Sequence, residues 1–177
     1  EEKELPDRIL GRMSVIYAIV AAALVLPNVV VPVSVPDAYS VLGGDARPGA
    51  VMELPASTSF YQNSRWLFFQ SVHGRPIISG PALPDVAASF DEDVVLKNAL
   101  ARALLAPVER PAASPEAADL PRLAANLASN GVRFAVVHRD FPGGASADRL
   151  ARLAFGEPVF RGQGADLFEI RAGTQPQ

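Results

Sequence analysis

The sequence predicts an α/β fold class: an N-terminal single transmembrane helix followed by a three-layer α/β domain with a mainly parallel sheet and a C-terminal hairpin. No charged residue occurs between Arg12 and Asp37, a run of 24 positions that matches the thickness of a bilayer. Beyond Pro36, short apolar runs alternate with segments of helical periodicity, as in α/β domains. The mean hydropathy is positive, +0.18, and most of that excess falls in the uncharged run.

The uncharged run supports a membrane anchor and exit segment over residues 1–36. Pro6 suits a first helical turn, and Pro27 ends the helix, so we expect a helix over about residues 6–26. Arg8 and Arg12 can extend toward lipid headgroups. Small side chains on this helix would let it pack closely against other transmembrane helices; they are Ala18, Ala21, Ala22 and Ala23.

Two other interpretations of this segment stay open: a buried core helix followed by a Val-rich strand over 29–35, and a secretory signal peptide. Against a signal peptide, no small-residue cleavage site follows the apolar run, and no Cys is present for lipid attachment. The basic flank is N-terminal, which predicts a cytoplasmic N-terminus in the bacterial inner membrane and a periplasmic, or extracytoplasmic, C-terminal domain. Because the chain begins with Glu1 and not Met, we expect it to be processed or cut from a longer one.

Composition excludes several functional classes. The net charge of -3 leaves no basic surplus for nucleic acid. The absence of Cys excludes disulfide scaffolds, thiolate zinc sites and thiol catalysis. With two His in all, at positions 73 and 138, we expect no multi-histidine metal site, and nothing in the sequence indicates a cofactor.

The second region, residues 37–172, is predicted to be one domain, followed by a flexible tail over 173–177. Gly74 and Gly131 are expected to end helices, and Asp91 and Ser114 to begin them as N-caps. The run from Val132 to His138 alternates little, which indicates a central strand buried on both faces. The predicted strands are 50–54, 75–79, 132–138 and a hairpin within 158–171, and the predicted helices are 64–73, 91–105, 115–130 and 146–155.

Polar residues at the carboxyl ends of the predicted parallel strands are the first candidates for chemistry. Glu53, His138 and Asp140 could form an acid/base group, with Arg139 as an anion clamp. His73 is expected at the opposite end of the sheet. The alternative is that polar residues stand here because strand ends reach the surface, and no spacing in the sequence is diagnostic of catalysis.

Three further patterns each have a structural and a functional interpretation. The loop between strand 132–138 and the next helix could hold an anion on its backbone amides, or be an ordinary turn; the residues concerned are Arg139, Asp140, Gly143, Gly144 and Ser146. Asp91-Glu-Asp93 imitates an Asp-x-Asp metal motif but also suits a first helical turn. An aromatic stripe could be core, a sugar-stacking platform or a membrane-interface belt; it comprises Phe60, Tyr61, Trp66, Phe68 and Phe69.

Four segments in order are similar to a known family. They are residues 51–55 (VMELP), 70–80 (QSVHGRPIISG), 130–140 (NGVRFAVVHRD) and 156–160 (GEPVF). They resemble the C-terminal extracytoplasmic domain of bacterial polytopic membrane proteins of the GT-C glycosyltransferase type, over roughly residues 9–171. The Gln-x-x-His-Gly-Arg-Pro segment is the most specific part.

The resemblance implies a last transmembrane helix leading into a small α/β domain. The family's catalytic acid and donor site lie in membrane regions that have no counterpart here, so no catalytic residue is transferred to this chain. The motif residues His73, Gly74 and Arg75 are expected to be structural: Gly74 stops a helix, Arg75 and Pro76 begin a strand, and His73 bonds nearby backbone.

Two functions from different classes follow. The first is a membrane-anchored, non-catalytic accessory or structural subunit of a larger membrane protein complex, with the lipid bilayer and other transmembrane subunits as partners and no nucleic acid. The alternative is the C-terminal domain of a GT-C-type glycosyltransferase that contributes to acceptor or glycan binding.

Overall fold

A computed structural model of the chain describes residues 34–56, 60–78, 97–106, 108 and 110–172. The predicted membrane anchor, with its four alanines, the Asp91-Glu-Asp93 motif and the C-terminal tail over 173–177 lie outside these residues. Within the part of the chain that is described, no helix is both long enough and apolar enough to cross a bilayer.

The described residues form an α/β fold built on one mixed five-stranded sheet. The strand order is β2-β1-β3-β5-β4, with β1 parallel to both β2 and β3, and β5 antiparallel to both β3 and β4. The sheet is therefore parallel on one side only, and the predicted C-terminal hairpin, β4 with β5, supplies the antiparallel side. The strands are Ala50–Leu54 (β1), Ile77–Ile78 (β2), Val132–His138 (β3), Phe160–Arg161 (β4) and Ala165–Glu169 (β5).

Five α-helices in the described residues cover the two faces of the sheet. One face carries α1 and α2, and the other carries α3, α4 and α5. The predicted three-layer arrangement is thus present in the described region. The helices are Asp37–Gly44 (α1), Phe60–His73 (α2), Ala99–Leu105 (α3), Leu120–Ser129 (α4) and Gly144–Phe155 (α5), with a 3₁₀ turn over Ala117–Asp119.

The face with α3, α4 and α5 contains the main apolar core. Met52 and Leu54 of β1, two residues apart and therefore on the same side of the strand, pack there with Phe168 of β5. Helix α4 contributes the face that its periodicity predicts, since Leu120, Leu123, Ala124 and Leu127 are all buried. The strand β3 is central and almost wholly buried, as expected.

Three helices differ from the sequence predictions, and one of them is α4, which begins at Leu120 with Asp119 as its N-cap and not at Ser114. Helix α1 was not predicted at all, although Ala38, Tyr39 and Leu42 on its buried side have helical spacing. A continuous helix over 91–105 is wrong at Asn98, which has extended backbone and caps α3 by accepting hydrogen bonds from Leu100 and Ala101. An Asn side chain competes in this way with the helical backbone, and so favours a cap over a helix interior.

Candidate functional site

Two of the predicted site residues, Glu53 and His138, meet on the face of the sheet that α1 and α2 cover. Strands β1 and β3 are parallel neighbours, and Glu53 pairs with Val136 across the ladder. His138 lies two residues beyond Val136 and therefore on the same face. Its Nε2 atom is 3.1 Å from Glu53 Oε2. The prediction that these two strand ends come together is confirmed.

Tyr39 of α1 completes the contact between these two side chains. Its hydroxyl donates to Glu53 Oε2 over 2.8 Å and lies 2.9 Å from His138 Nε2. Because the single phenolic proton is given to Glu53, we assign a proton to His138 Nε2, which then donates toward the phenolic and carboxylate oxygens. The phenolic O–H of Tyr39 and the Nε2–H of His138 then each have an oxygen acceptor, with Glu53 as a carboxylate.

His73 also belongs to this group, although its segment lies, as predicted, at the end of the sheet where β1 and β2 begin. Its Nε2 is 3.8 Å from Glu53 Oε1. The physical reason is that β1 is short: five residues at about 3.3 Å each separate its ends by only about 13 Å, so a side chain from the last turn of α2 reaches Glu53. We call Tyr39, Glu53, His73 and His138 the buried quartet.

The tautomer of His73 follows from its other ring nitrogen. His73 Nδ1 accepts a hydrogen bond from the backbone N–H of Arg75 over 3.1 Å. The predicted bond between His73 and nearby backbone is thus confirmed. A neutral imidazole that accepts at Nδ1 carries its proton at Nε2. His73 therefore presents an N–H to Glu53, and this nitrogen has no free lone pair for a metal ion. Among the described residues, no group of three His, Cys, Asp or Glu side chains is arranged so that it could hold a metal ion.

Aromatic rings enclose the quartet. Trp66 stacks on His138 with ring centroids 4.3 Å apart, and Phe141 meets the same imidazole edge-on at 5.5 Å. Tyr39 stacks on Phe69 at 4.5 Å. Two members of the predicted aromatic stripe, Trp66 and Phe69, are thus core residues, whereas Phe68 is 45% exposed.

Burial keeps two members of the quartet, Tyr39 and His73, in their neutral forms. Burial raises the pKa of Tyr39 far above its ordinary value, and the nearby Glu53 charge raises it further, so the phenol stays a neutral donor. Burial lowers the pKa of His73; the Glu53 charge opposes this change and the Arg75 charge adds to it. A neutral His73 agrees with the Nδ1 contact.

The quartet contains the components of acid/base chemistry, a carboxylate, two imidazoles and a phenol, but none of them reaches solvent. The side chains of Glu53 and His73 are 0% exposed and that of His138 is 3% exposed. Three buried polar atoms in this layer make no hydrogen bond: Glu53 Oε1, His73 Nε2 and Trp66 Nε1. The arrangement joins α1, α2, β1 and β3 through polar contacts in the protein interior.

Arg75 is a second buried polar residue, and its side chain is a feature that sequence reasoning missed. It is 8% exposed, and its guanidinium donates to the carbonyls of Leu42, Asp45 and Arg47. These carbonyls lie at or just beyond the end of α1, where the helix no longer supplies backbone N–H donors for them. The motif segment therefore ties α1 to the start of β2, while Gly74, at φ +68°, ends α2 as predicted.

Two amides of the predicted anion-binding loop donate to carbonyl oxygens of the loop itself. The amide of Gly144 donates to Phe141, and that of Ser146 donates to Gly143. A Cβ on Gly144 would lie 2.3 Å from the carbonyl oxygen of His138, so glycine is required for close packing. Gly144→Val would therefore disturb the backbone whether or not an anion binds.

The charged residues ahead of this loop stand outside the quartet. Arg139 donates to the carbonyl of Gly162 and lies 3.6 Å from Asp166. Asp140 is exposed at the strand end. The structure thus does not bring Arg139 and Asp140 into an acid/base group with Glu53 and His138.

A shallow groove of about 560 Å³ lies at the end of the sheet where β1 and β2 begin. The segment from His73 to Pro76 forms one side of it, and the segment from Asp45 to Ala50 forms another. Asp45 and Arg47 are paired at this rim, and Arg47 is half exposed. The most specific motif of the sequence therefore borders a surface groove.

Comparisons with known proteins return no relative: no family model matches the chain, and neither a curated protein nor a solved structure matches it.

Proposed function

We propose that the chain is a membrane-anchored, non-catalytic α/β domain on the outer side of the bacterial inner membrane, serving as an accessory or structural subunit of a larger membrane protein complex. One observation carries the proposal. Glu53, His73 and His138, the strongest candidates for chemistry, bond to one another, to Tyr39 or to backbone in the interior, and so act as a polar connection between α1, α2 and the sheet. Groups engaged in this way hold a fold together and do not meet a substrate.

The membrane part of the proposal is supported by the uncharged run that ends at Pro36. Pro36 is the N-cap of α1, so the domain begins in the residue that follows the run. A span of this length with Arg8 and Arg12 before it favours an anchor with a cytoplasmic N-terminus.

The absence of Cys makes topology directly testable. Single-cysteine variants Lys3→Cys and Glu116→Cys would be expressed in bacterial cells and treated with a membrane-impermeant maleimide. The proposal predicts that the cysteine at 116, an exposed position in the described domain, reacts in spheroplasts, whereas the cysteine at 3 reacts only after permeabilisation. Recovery of the chain in the soluble fraction, or the reverse labelling pattern, would overturn the proposed anchor.

The accessory role is tested by native electrophoresis and mass spectrometry of the detergent-extracted full chain. We expect a discrete species larger than the chain, containing an unrelated polytopic subunit in fixed ratio. A monodisperse single chain would contradict this role. If the same polypeptide instead continues into many upstream transmembrane helices, the glycosyltransferase alternative is favoured.

The groove beside the motif segment supports that alternative as a second candidate. A carboxylate and a guanidinium at the rim, Asp45 and Arg47, are groups that bind sugar hydroxyls through hydrogen bonds. Isothermal titration with free oligosaccharides would then show saturable binding that Asp45→Asn weakens and the remote Asp148→Asn does not. No binding, or equal binding by both variants, would exclude a glycan site in the groove.

A further inference from the structure

Helix α2 is apolar on two sides, only one of which packs against the sheet. Trp66 and Phe69, three residues apart, are buried beneath it. Leu67, Phe68 and Val72 lie on the opposite side and are 43%, 45% and 43% exposed. Phe68 and Val72 are one helical turn apart and therefore share a face. An ordinary surface helix would carry polar residues there.

Helix α1, which packs beside α2, adds a fourth exposed apolar side chain, Val41, at 43%. We call Val41, Leu67, Phe68 and Val72 the α1–α2 outer surface. It holds four of the seven large apolar residues that are exposed in the described part of the chain. Single exposed apolar residues are common on proteins, whereas a group of them on two adjacent helices indicates a contact surface.

The position of α1 in the sequence favours lipid as the occupant of this surface. The uncharged run ends at Pro36, and α1 begins at Asp37 without a linker. Val41 follows Pro36 by five residues, which is about 7.5 Å of helical rise. The predicted anchor and exit segment over residues 1–36 therefore leads directly into the helix that carries Val41.

The charge of α2 is also suited to a bacterial membrane surface. Its 14 residues include no Asp or Glu, and Arg65 is its one permanently charged residue, although the whole chain carries a net charge of -3. An apolar face on a helix without Asp or Glu can enter the interface of anionic lipids without charge repulsion from its own helix. On α1, Asp37 lies one turn before Val41.

We infer that the α1–α2 outer surface lies in the headgroup region of the bilayer and holds the domain against the membrane. The inference rests on the proposed anchor. It assigns Phe68 to the membrane-interface role and leaves Trp66 and Phe69 to the core.

The test uses the full chain in liposomes of phosphatidylethanolamine and phosphatidylglycerol with brominated acyl chains. Bimane is attached to a single cysteine in Phe68→Cys or Val72→Cys, and in the control variants Leu153→Cys and Val159→Cys, which also replace exposed apolar residues. The fluorescence of Trp66, the single tryptophan, reports that each variant is folded.

Bromolipid should quench bimane at 68 and 72 at least about twofold more than at 153 and 159, and aqueous iodide should show the opposite order. Iodide quenching at 68 and 72 equal to that of the controls would overturn the inference while leaving the anchor intact. Protection of 68 and 72 from both quenchers would overturn it too, because protein and not lipid would then cover the surface. A chain that does not float with the liposomes would instead refute the anchor itself.

Discussion

The two faces of the sheet are packed by different chemistry, although the same strands supply both. In β1, Met52 and Leu54 enter the apolar core under α3, α4 and α5, whereas Glu53 between them enters the layer under α1 and α2. Alternation along a strand separates the two environments by a single residue. Apolar packing stabilises the first face without specifying partners, whereas hydrogen bonds on the second face fix which residues of α1 and α2 meet which strand.

The two buried carboxylates sharpen this comparison. Asp166, on the face with α5, lies 3.2 Å from the guanidinium of Arg152. Among the described residues, Glu53 meets only the phenol of Tyr39 and the two imidazoles within hydrogen-bond or ion-pair distance. Both carboxylates are fully buried, but Asp166 has a permanent cation beside it and Glu53 depends on neutral or titratable donors. The second arrangement is the more sensitive to the loss of any one partner.

The largest effect is expected from the apolar face. Phe168→Ala removes a fully buried ring from the main core and should lower the free energy of unfolding by about 3–5 kcal/mol. Urea unfolding of the full chain in detergent, followed by Trp66 fluorescence, measures it. Leu153→Ala, at a position 63% exposed, is the matched control, with a change within about 0.5 kcal/mol. Equal losses for both would contradict the assignment of the core.

A smaller effect is expected from the polar face. Glu53→Gln keeps the shape but places an amide N–H₂ beside a quartet that already supplies N–H and O–H donors, so it should cost about 1–3 kcal/mol. Asp166→Asn should cost less, because Arg152 also pairs with Asp148 and Glu157. The same unfolding measurement applies. A larger loss for Asp166→Asn would reverse the proposed ranking of the two carboxylates.

The smallest effect is a dependence of stability on pH. Burial holds the pKa of His73 below its ordinary 6.5, so the native state binds this proton less readily than the unfolded state. Stability that is present above about pH 6.5 is therefore lost as pH falls toward the lower native pKa. The urea midpoint should decrease more steeply between pH 7.5 and 5 in the natural chain than in His73→Asn, whose side chain can still accept the Arg75 amide in an Asx turn. Parallel curves would show that His73 does not contribute.

Sequence periodicity predicted the parts of the fold that depend on local pattern. The buried side of α4, the central strand β3 and the C-terminal hairpin follow directly from residue spacing. Helix α1 was missed because it is short and follows an apolar run that dominates any hydropathy pattern. Asn98 was missed as a cap because its choice between cap and helix interior is decided by contacts with α4, where its amide donates to Leu123.

Only two of the four residues of the buried quartet could be brought together from the sequence, because the other two depend on contacts between helices and strands. Glu53 and His138 could be paired because parallel neighbouring strands bring their ends together. Tyr39 and His73 come from helices, and no spacing in the sequence specifies how far a helix end lies along a strand. The carbonyl contacts of Arg75 likewise depend on where α1 stops.

A double-mutant cycle between Tyr39 and Glu53 tests the central claim most directly, that these buried polar residues act as one structural connection between α1 and the sheet. Tyr39→Phe removes only the hydroxyl, Glu53→Gln replaces the carboxylate with an amide of the same shape, and the free energy of unfolding is measured for both variants and for the double variant. We predict a coupling energy of about 1 kcal/mol or more, as for residues in one hydrogen-bond network. Additive losses, within about 0.5 kcal/mol, would contradict the account.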